Sequence, residues 1–507
     1  MRVWSHGYNV EVPYTYGYYK ETSPLWIKWA TYLGGRKPPK AEKIRVLELG
    51  CGQGFNLCMH ASAFPEMEFL GIDFNPSQIY HAQELARLTG LKNVNFIEGD
   101  FVELSKDWRL GEFDYVILHG IWTWIAKPVR AAVVEILKKA LLPGGLVYIS
   151  YNSMPGWLPG TLVREVLLNY YKTSQKPAIQ AVQEGLNILK RLEEFNAPIF
   201  RVYPNLKVRV DKASQHDIHY VVHEYLHDSH TIFWVYDVIE EVMPAKLYYI
   251  ASANLPDNYL PALMQDKIRD FINEFSHPVF RLFLIDLFIN QGFRRDIYQK
   301  GEVRPFGIEQ IKEIREVKFI SIADTPQEFK FQVGMGEIEG KKEVYIPLME
   351  ELSKKECSVE ELLKIEPFNK TGFIPLIQAL TLLMSKDLIT LYNEQQDVAY
   401  TQRFNSAIIK AVSEGRPYNF LMSPLSATGV VIPPVEINML QNLSEGVSTI
   451  DDLGIKTINR LNQMGRQIIK DGKPIENPVE AANYMRQLAG EFINKKLPLL
   501  KRLKVIP

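Results

Sequence analysis

The sequence predicts a parallel-sheet α/β fold with a ligand cradle at the carboxyl ends of its strands, on three observations. Lys43 to Gly54 reads KIRVLELGCGQG: a buried strand (Ile44–Leu47), the acidic Glu48, and a loop with glycines at 50, 52 and 54. The mostly apolar stretch Phe55–Ala63 then reads as a helix, and strand, glycine turn and helix in that order describe a cofactor cradle. A second strand, Glu68–Ile72, ends on Asp73, about twenty residues past the turn, where a carboxylate can accept both hydroxyls of a ribose. Strand-like runs recur at Val94–Ile97, Phe113–Leu118 and Leu146–Tyr151, with helical spacing between them. The loop is not the nicotinamide fingerprint, whose third glycine would fall where the chain has Phe55.

Bulk composition narrows the class. At 507 residues, several domains are expected. Lys plus Arg number 58 and Asp plus Glu 59, so net charge gives no global pull toward nucleic acid. Cysteines at 51, 58 and 357 are too few for a disulfide framework and suit a reducing compartment. MRVWSHGYNVEVPY lacks a signal-peptide layout, and the most apolar stretch, Leu282–Ile289, is broken by Asp286. A cytoplasmic location with no membrane span is the expectation.

Five segments in register, ELGCGQG, LGIDFNP (Leu70–Pro76), EGDF (Glu98–Phe101), FDYVILHG (Phe113–Gly120) and LLPGGLVYIS (Leu141–Ser150), resemble the motifs of class I S-adenosylmethionine-dependent methyltransferases. That resemblance implies a Rossmann-like seven-stranded sheet and S-adenosylmethionine as cofactor. YNSMPGW (Tyr151–Trp157), VPYTYGYY near the amino end and HEYLHD (His223–Asp228) further resemble the bacterial protein methyltransferases with a methyltransferase regulatory domain, whose best described members are the rickettsial outer-membrane-protein lysine methyltransferases. This closer likeness covers approximately residues 10 to 305. It implies a protein acceptor methylated on lysine, such as an outer-membrane or surface protein before export.

The cofactor candidates are Tyr14, Glu48, Gly50, Gly52, Gly54, Asp73, Phe74 and His119, joined by Asp100 and Phe101, which the resemblance places at the adenine amine and ring. The acceptor-channel candidates are Tyr14, Tyr18, His119, Trp122, Tyr151, Asn152 and Trp157. Aromatic faces hold a sulfonium or an ammonium by cation–π attraction, whereas Tyr16 is expected only to pack. A lysine must lose its proton before it can attack. An aromatic-lined channel lowers its pKa from about 10.4, so water suffices to take the proton. The Asn/Asp-Pro-Pro-aromatic sequence of amine-methylating nucleic-acid enzymes is absent after Leu118. So is the Pro-Cys pair of cytosine-C5 enzymes, and a nucleobase acceptor is not expected.

Residues 158–230 interrupt the core as a helical insertion, read as a lid, a dimerisation arm or both, with a homodimer expected. It contains histidines 216, 219, 223, 227 and 230, and His223–His227 matches HExxH. No third zinc ligand follows in pattern, and no metal is expected. Residues 231–302 complete the core, with Phe293–Gly301 as an antiparallel edge strand whose Arg294 and Arg295 pair with carboxylates. Residues 303–412 resemble a winged-helix-like fold. Its helix, GFIPLIQALTLLMSK, is too apolar to read DNA. Pro417–Pro434 reads as a loop and hinge inside a C-terminal domain, 413–507. The leading expectation is a protein-lysine methyltransferase; a small-molecule methyltransferase and a cofactor-binding regulatory module without turnover remain open.

Overall fold

The computed structural model describes residues 16–304, 307–470 and 473–507. Seven strands form one sheet: β1 (Arg45–Leu49), β2 (Glu68–Asp73), β3 (Val94–Glu98), β4 (Phe113–Leu118), β5 (Leu141–Asn152), β6 (Leu247–Ser252) and β7 (Phe293–Lys300), in spatial order 3-2-1-4-5-7-6. β1 to β5 pair in parallel, and β7 runs antiparallel to both its neighbours. This is the class I methyltransferase sheet. All six residues of β4 are buried, as expected for a strand covered by helices on both faces. β5 starts directly after the helix Lys127–Ala140 and carries a register shift opposite Phe113 and Tyr115, so the Pro143-Gly144-Gly145 turn is absorbed as a bulge within the strand. Strand order reverses between β1 and β4, which opens a crevice at their carboxyl ends.

The insertion is a helical unit with its own core. Its two long helices, Leu158–Ser174 and Ala178–Glu194, with Asn205–Gln215 and Ile218–Tyr225, bury Val163, Leu167, Val182, Val210 and Val222 against one another. Trp157 belongs to that core. Arg294 behaves as expected: it donates to both carboxylate oxygens of Asp296 at 3.0 Å and to Asp286 at 2.5 Å, while Arg295 comes within 3.9 Å of Glu21.

Downstream, a three-stranded antiparallel sheet (Lys318–Ser321, Cys357–Ser358, Ile389–Leu391) packs beside the helix Phe373–Ser385, which buries Leu376, Leu380 and Leu383 completely. The C-terminal half is not a separate body, since one continuous apolar core joins Trp29, Met59 and Phe64 to Phe319, Phe404, Leu421 and Val505. Polar ties cross the same boundary: Thr401 Oγ1 donates to the Ser62 carbonyl at 2.7 Å and Asn393 Nδ2 to that of Ala63 at 3.0 Å. The Pro417–Pro434 stretch is not a hinge loop. Phe420–Ser423 and Thr428–Val431 form a hairpin whose Leu421 and Met422 are fully buried, so apolar burial outweighs the loop-like Pro, Ser and Gly content. No helix of the described residues is long and apolar enough to cross a membrane.

Candidate functional site

The crevice between β1 and β4 holds a cleft of about 1080 Å³, its open mouth included. One wall is the glycine turn. Gly50 and Cys51 donate their N–H groups to the Ile72 carbonyl (2.8 and 3.1 Å), Gly52 N–H to Asp73 Oδ2 (3.0 Å) and Gly54 N–H to the Cys51 carbonyl (3.0 Å). Gly50 and Gly54 both have φ near +75°, and a Cβ on either would lie 2.4 Å from Ile121 Cγ2 or Ala82 Cβ. Only glycine closes the turn this tightly against its neighbours.

Two buried acids face this wall. Asp73, 5% exposed, also accepts from the Asn75 N–H at 2.9 Å; the Gln78 amide, its nitrogen turned inward, donates to it at 3.1 Å. Burial pushes its carboxyl up to about 6 against the pull of the Asn75 and Gly52 donors. Glu48, 4% exposed, accepts from Asn56 Nδ2 at 3.2 Å through one oxygen, while its other oxygen is buried with no hydrogen-bond partner. Burial raises it to about 8, held back by the Asn56 bond and raised further by the charge of Asp73. No lysine or arginine is among the described residues lining the cleft.

Much of the remaining lining is aromatic. Tyr19 lies on His119, and the Tyr19 N–H donates to Asn56 Oδ1 at 3.0 Å, so one asparagine ties this ring and Glu48 together. Burial drops the His119 imidazole to about 3, with the Arg295 charge adding to it, so the ring is neutral. Trp124 and Ile125 enter from the loop after β4; Tyr220, His223, Glu224 and His227 enter from the end of the insertion. Glu224 accepts from Arg209 Nη2 at 3.2 Å, and burial raises its pKa although Arg209 opposes the rise. The helix carrying His223 ends at Tyr225, which puts His227 beyond it. Among the described residues no cluster of three or more His, Cys, Asp or Glu is arranged to hold a metal. The HExxH pattern is part of a cleft wall.

Of the residues singled out from sequence, Glu48, Gly50, Gly52, Gly54, Asp73, Phe74, Phe101 and His119 line this cleft together. Tyr14 lies outside the described residues. Several acceptor-channel expectations need correcting. Tyr18 turns away from the cleft into the core, against His60, Phe420 and Gly429, because the C-terminal hairpin occupies that side. Trp122 is fully buried among the side chains beneath the sheet, and Trp124, two residues on, takes the cleft. Trp157 packs on Tyr225 and His230 inside the insertion. Tyr151 donates to Asp296, and Asn152 is buried with its backbone N–H on Thr123 Oγ1; neither lines the cleft. Asp100 caps the helix Phe101–Lys106 by accepting from Val102 N–H at 2.7 Å and is likewise not in the lining. Tyr16, expected only to pack, is in the lining, as are Tyr19, Asn56 and Tyr220. These four carry no sequence signal beyond residue type.

Residues 40–216 match a family model described as a methyltransferase domain, and residues 217–300 one described as a predicted methyltransferase regulatory domain. An uncharacterised protein of Synechocystis sp. is 31% identical over 512 residues, covering 99% of each chain. An uncharacterised Rickettsia prowazekii protein is 28% identical over 63% of this chain and 60% of its own length. Among solved structures, PKMT2 from Rickettsia typhi in complex with AdoHcy superposes with a TM-score of 0.68 at 20% identity, over 97% of this chain and 99% of that one. At that identity the likeness establishes the fold.

Proposed function

The chain belongs to the methyltransferases that carry a methyltransferase regulatory domain, and from that premise we propose that it methylates the side-chain amine of lysine residues in a protein. Its cofactor is S-adenosylmethionine, and the cleft fits that molecule on its own terms. Two buried acids, one with an unpartnered oxygen, face a cavity with no lysine or arginine among the described residues of its lining. A ligand that brings a positive charge and hydroxyl donors completes them, since a buried acid left uncompensated is costly. Glu48 would receive the ammonium of the methionyl part and Asp73 the ribose hydroxyls, with Phe74 and Phe101 flanking the purine. When bound, the cofactor supplies an electrophilic methyl whose leaving group is a neutral thioether.

The remaining work falls to the aromatic wall. Tyr19, Trp124 and Tyr220 offer π faces to a cation, and His119, held neutral by burial, adds no repelling charge. A lysine amine drawn between these rings loses hydration, which favours its uncharged form. Glu224, buried at the same wall, accepts a hydrogen bond from the incoming ammonium and orients it as the proton leaves to water. The wall thus excludes water, aligns the nitrogen and delivers it with its lone pair free.

The observation that carries this reading is a single cleft lined both by the glycine turn with its two buried acids and by aromatic side chains. Methyl-labelled S-adenosylmethionine incubated with the protein and a lysate of its own organism tests it. Label on lysine side chains, located by mass spectrometry, is the expected result. Label confined to small metabolites would contradict the acceptor assignment.

A further inference from the structure

One anchor of the cofactor turn runs through to a residue far outside the methyltransferase core. The Gln53 carbonyl accepts from His81 Nδ1 at 2.8 Å, and the Nε2 of the same ring meets the hydroxyl of Tyr418 at 2.9 Å. A carbonyl only accepts, so Nδ1 carries the proton; the Nε2 of a neutral ring is then bare, and Tyr418 must be the donor to it. Burial and the nearby charge of Arg416 both disfavour a second proton on this ring.

Tyr418 lies two residues before the C-terminal hairpin and is 2% exposed. Its ring stacks on Phe55 (centroids 4.9 Å apart, planes 10° apart) and meets Tyr16 edge-on at 5.3 Å. Phe55, Tyr16 and Gln53 all line the cleft. A single side chain supplied by a segment more than three hundred residues downstream therefore touches two cleft residues directly and a third through one imidazole. The companion contact, Gly429 of the hairpin against Tyr18 and Met59, closes the same face.

We propose that Tyr418 is a positioning residue for the cofactor turn, and that hairpin docking and cofactor occupancy are coupled through Tyr418, His81 and Gln53. The hydroxyl fixes the tautomer and angle of His81, and His81 fixes the peptide plane at Gln53. With that plane fixed, the turn meets its ligand already ordered. Coupling is reciprocal: whatever the docked hairpin adds to cofactor affinity, a bound cofactor adds to docking of the hairpin. This rests on the cofactor reading of the cleft.

The test uses the full chain with S-adenosylhomocysteine as probe, following affinity by calorimetry and hydrogen exchange at residues 418–431. In the unaltered protein the ligand is expected to slow exchange across the hairpin. Tyr418→Phe keeps the ring contacts and removes the hydroxyl, and affinity should fall roughly five- to tenfold, the low end of the usual range of such couplings. His81→Asn keeps a donor for the Gln53 carbonyl that has no tautomer to choose. Because it cuts the link to Tyr418, it should lose affinity to about the same extent as Tyr418→Phe, and adding Tyr418→Phe to it should change nothing more. Equal loss from Tyr418→Phe in both backgrounds, no loss in either, or a hairpin indifferent to bound ligand would overturn the coupling. The hairpin measurement on the unaltered protein decides the matter even if a variant does not fold. No binding at all in the unaltered protein is a different result, which overturns the cofactor reading and this inference with it.

Discussion

Tyr19 lies on His119 with ring centroids 3.7 Å apart and planes inclined by 31°. The contact brings the amino-terminal segment onto the end of β4 and sets a π face at the cleft, on the path proposed for the acceptor amine. Replacing Tyr19 by leucine keeps apolar bulk and removes that face. With cation–π attraction worth about 0.5–2 kcal/mol, kcat/KM for the acceptor at saturating cofactor should fall roughly two- to thirtyfold, measured by steady-state transfer of labelled methyl.

Glu48 and Asp73 make cofactor binding depend on pH. Their folded pKa values, about 8 and about 6, lie above ordinary carboxyl values, so between those limits the folded protein binds more protons than the unfolded chain. The contribution of these two carboxyls to the stability of the ligand-free protein is accordingly full below the ordinary carboxyl range and is lost as pH climbs through about 6 and then about 8. A ligand ammonium works the other way by drawing the proton off Glu48. Affinity for S-adenosylhomocysteine should rise on the order of tenfold from pH 6 to 8, with proton release seen by calorimetry in buffers of different ionisation heat. Glu48→Gln should flatten the rise.

Glu224 separates acceptor chemistry from cofactor binding. Glu224→Gln preserves shape and removes the charge that meets the ammonium, so acceptor kcat/KM should fall by about tenfold or more, as expected for losing a charged hydrogen bond of about 1.5–3 kcal/mol. S-adenosylhomocysteine affinity should stay within about twofold. Chelator dialysis should leave turnover unchanged, since the HExxH residues serve as cleft wall. Loss of activity restored by zinc would count against that assignment.

Arg294 tests β7, which lies between β5 and β6 and not at the edge expected of Phe293–Gly301. It is the shared partner of the buried Asp286 and Asp296, and Tyr151 donates to Asp296 at 2.5 Å. Arg294→Met leaves two carboxylates without their cation and should destabilise the core by about 3–5 kcal/mol, visible as a lower urea midpoint. Asp286, pushed to about 7 by burial despite Arg294 beside it, should then titrate higher still.

The sheet and the cofactor wall were legible in the sequence because each is specified by adjacent residues. Gly50 and Gly54 announce positive φ, and the apolar runs of β1 and β4 announce strands buried on both faces. The acceptor wall was not, because the direction of each ring is set from a distance. Tyr16, Tyr18 and Tyr19 sit in one aperiodic segment. Asn56 holds Tyr19 over the cleft, while Phe420 and Gly429 draw Tyr18 into the core. Trp122 and Trp124 differ only in which side of a tight loop they leave. The Pro417–Pro434 stretch looked like a hinge because its turn residues are local and the surface that buries its hairpin is not.

A crystal structure of the protein with S-adenosylhomocysteine tests the account most directly. The account predicts the ammonium at Glu48, the ribose at Asp73, and the sulfur facing the cleft between Tyr19, Trp124 and Tyr220. A nucleoside bound elsewhere, or one whose sulfur turns away from that aromatic wall, would contradict it.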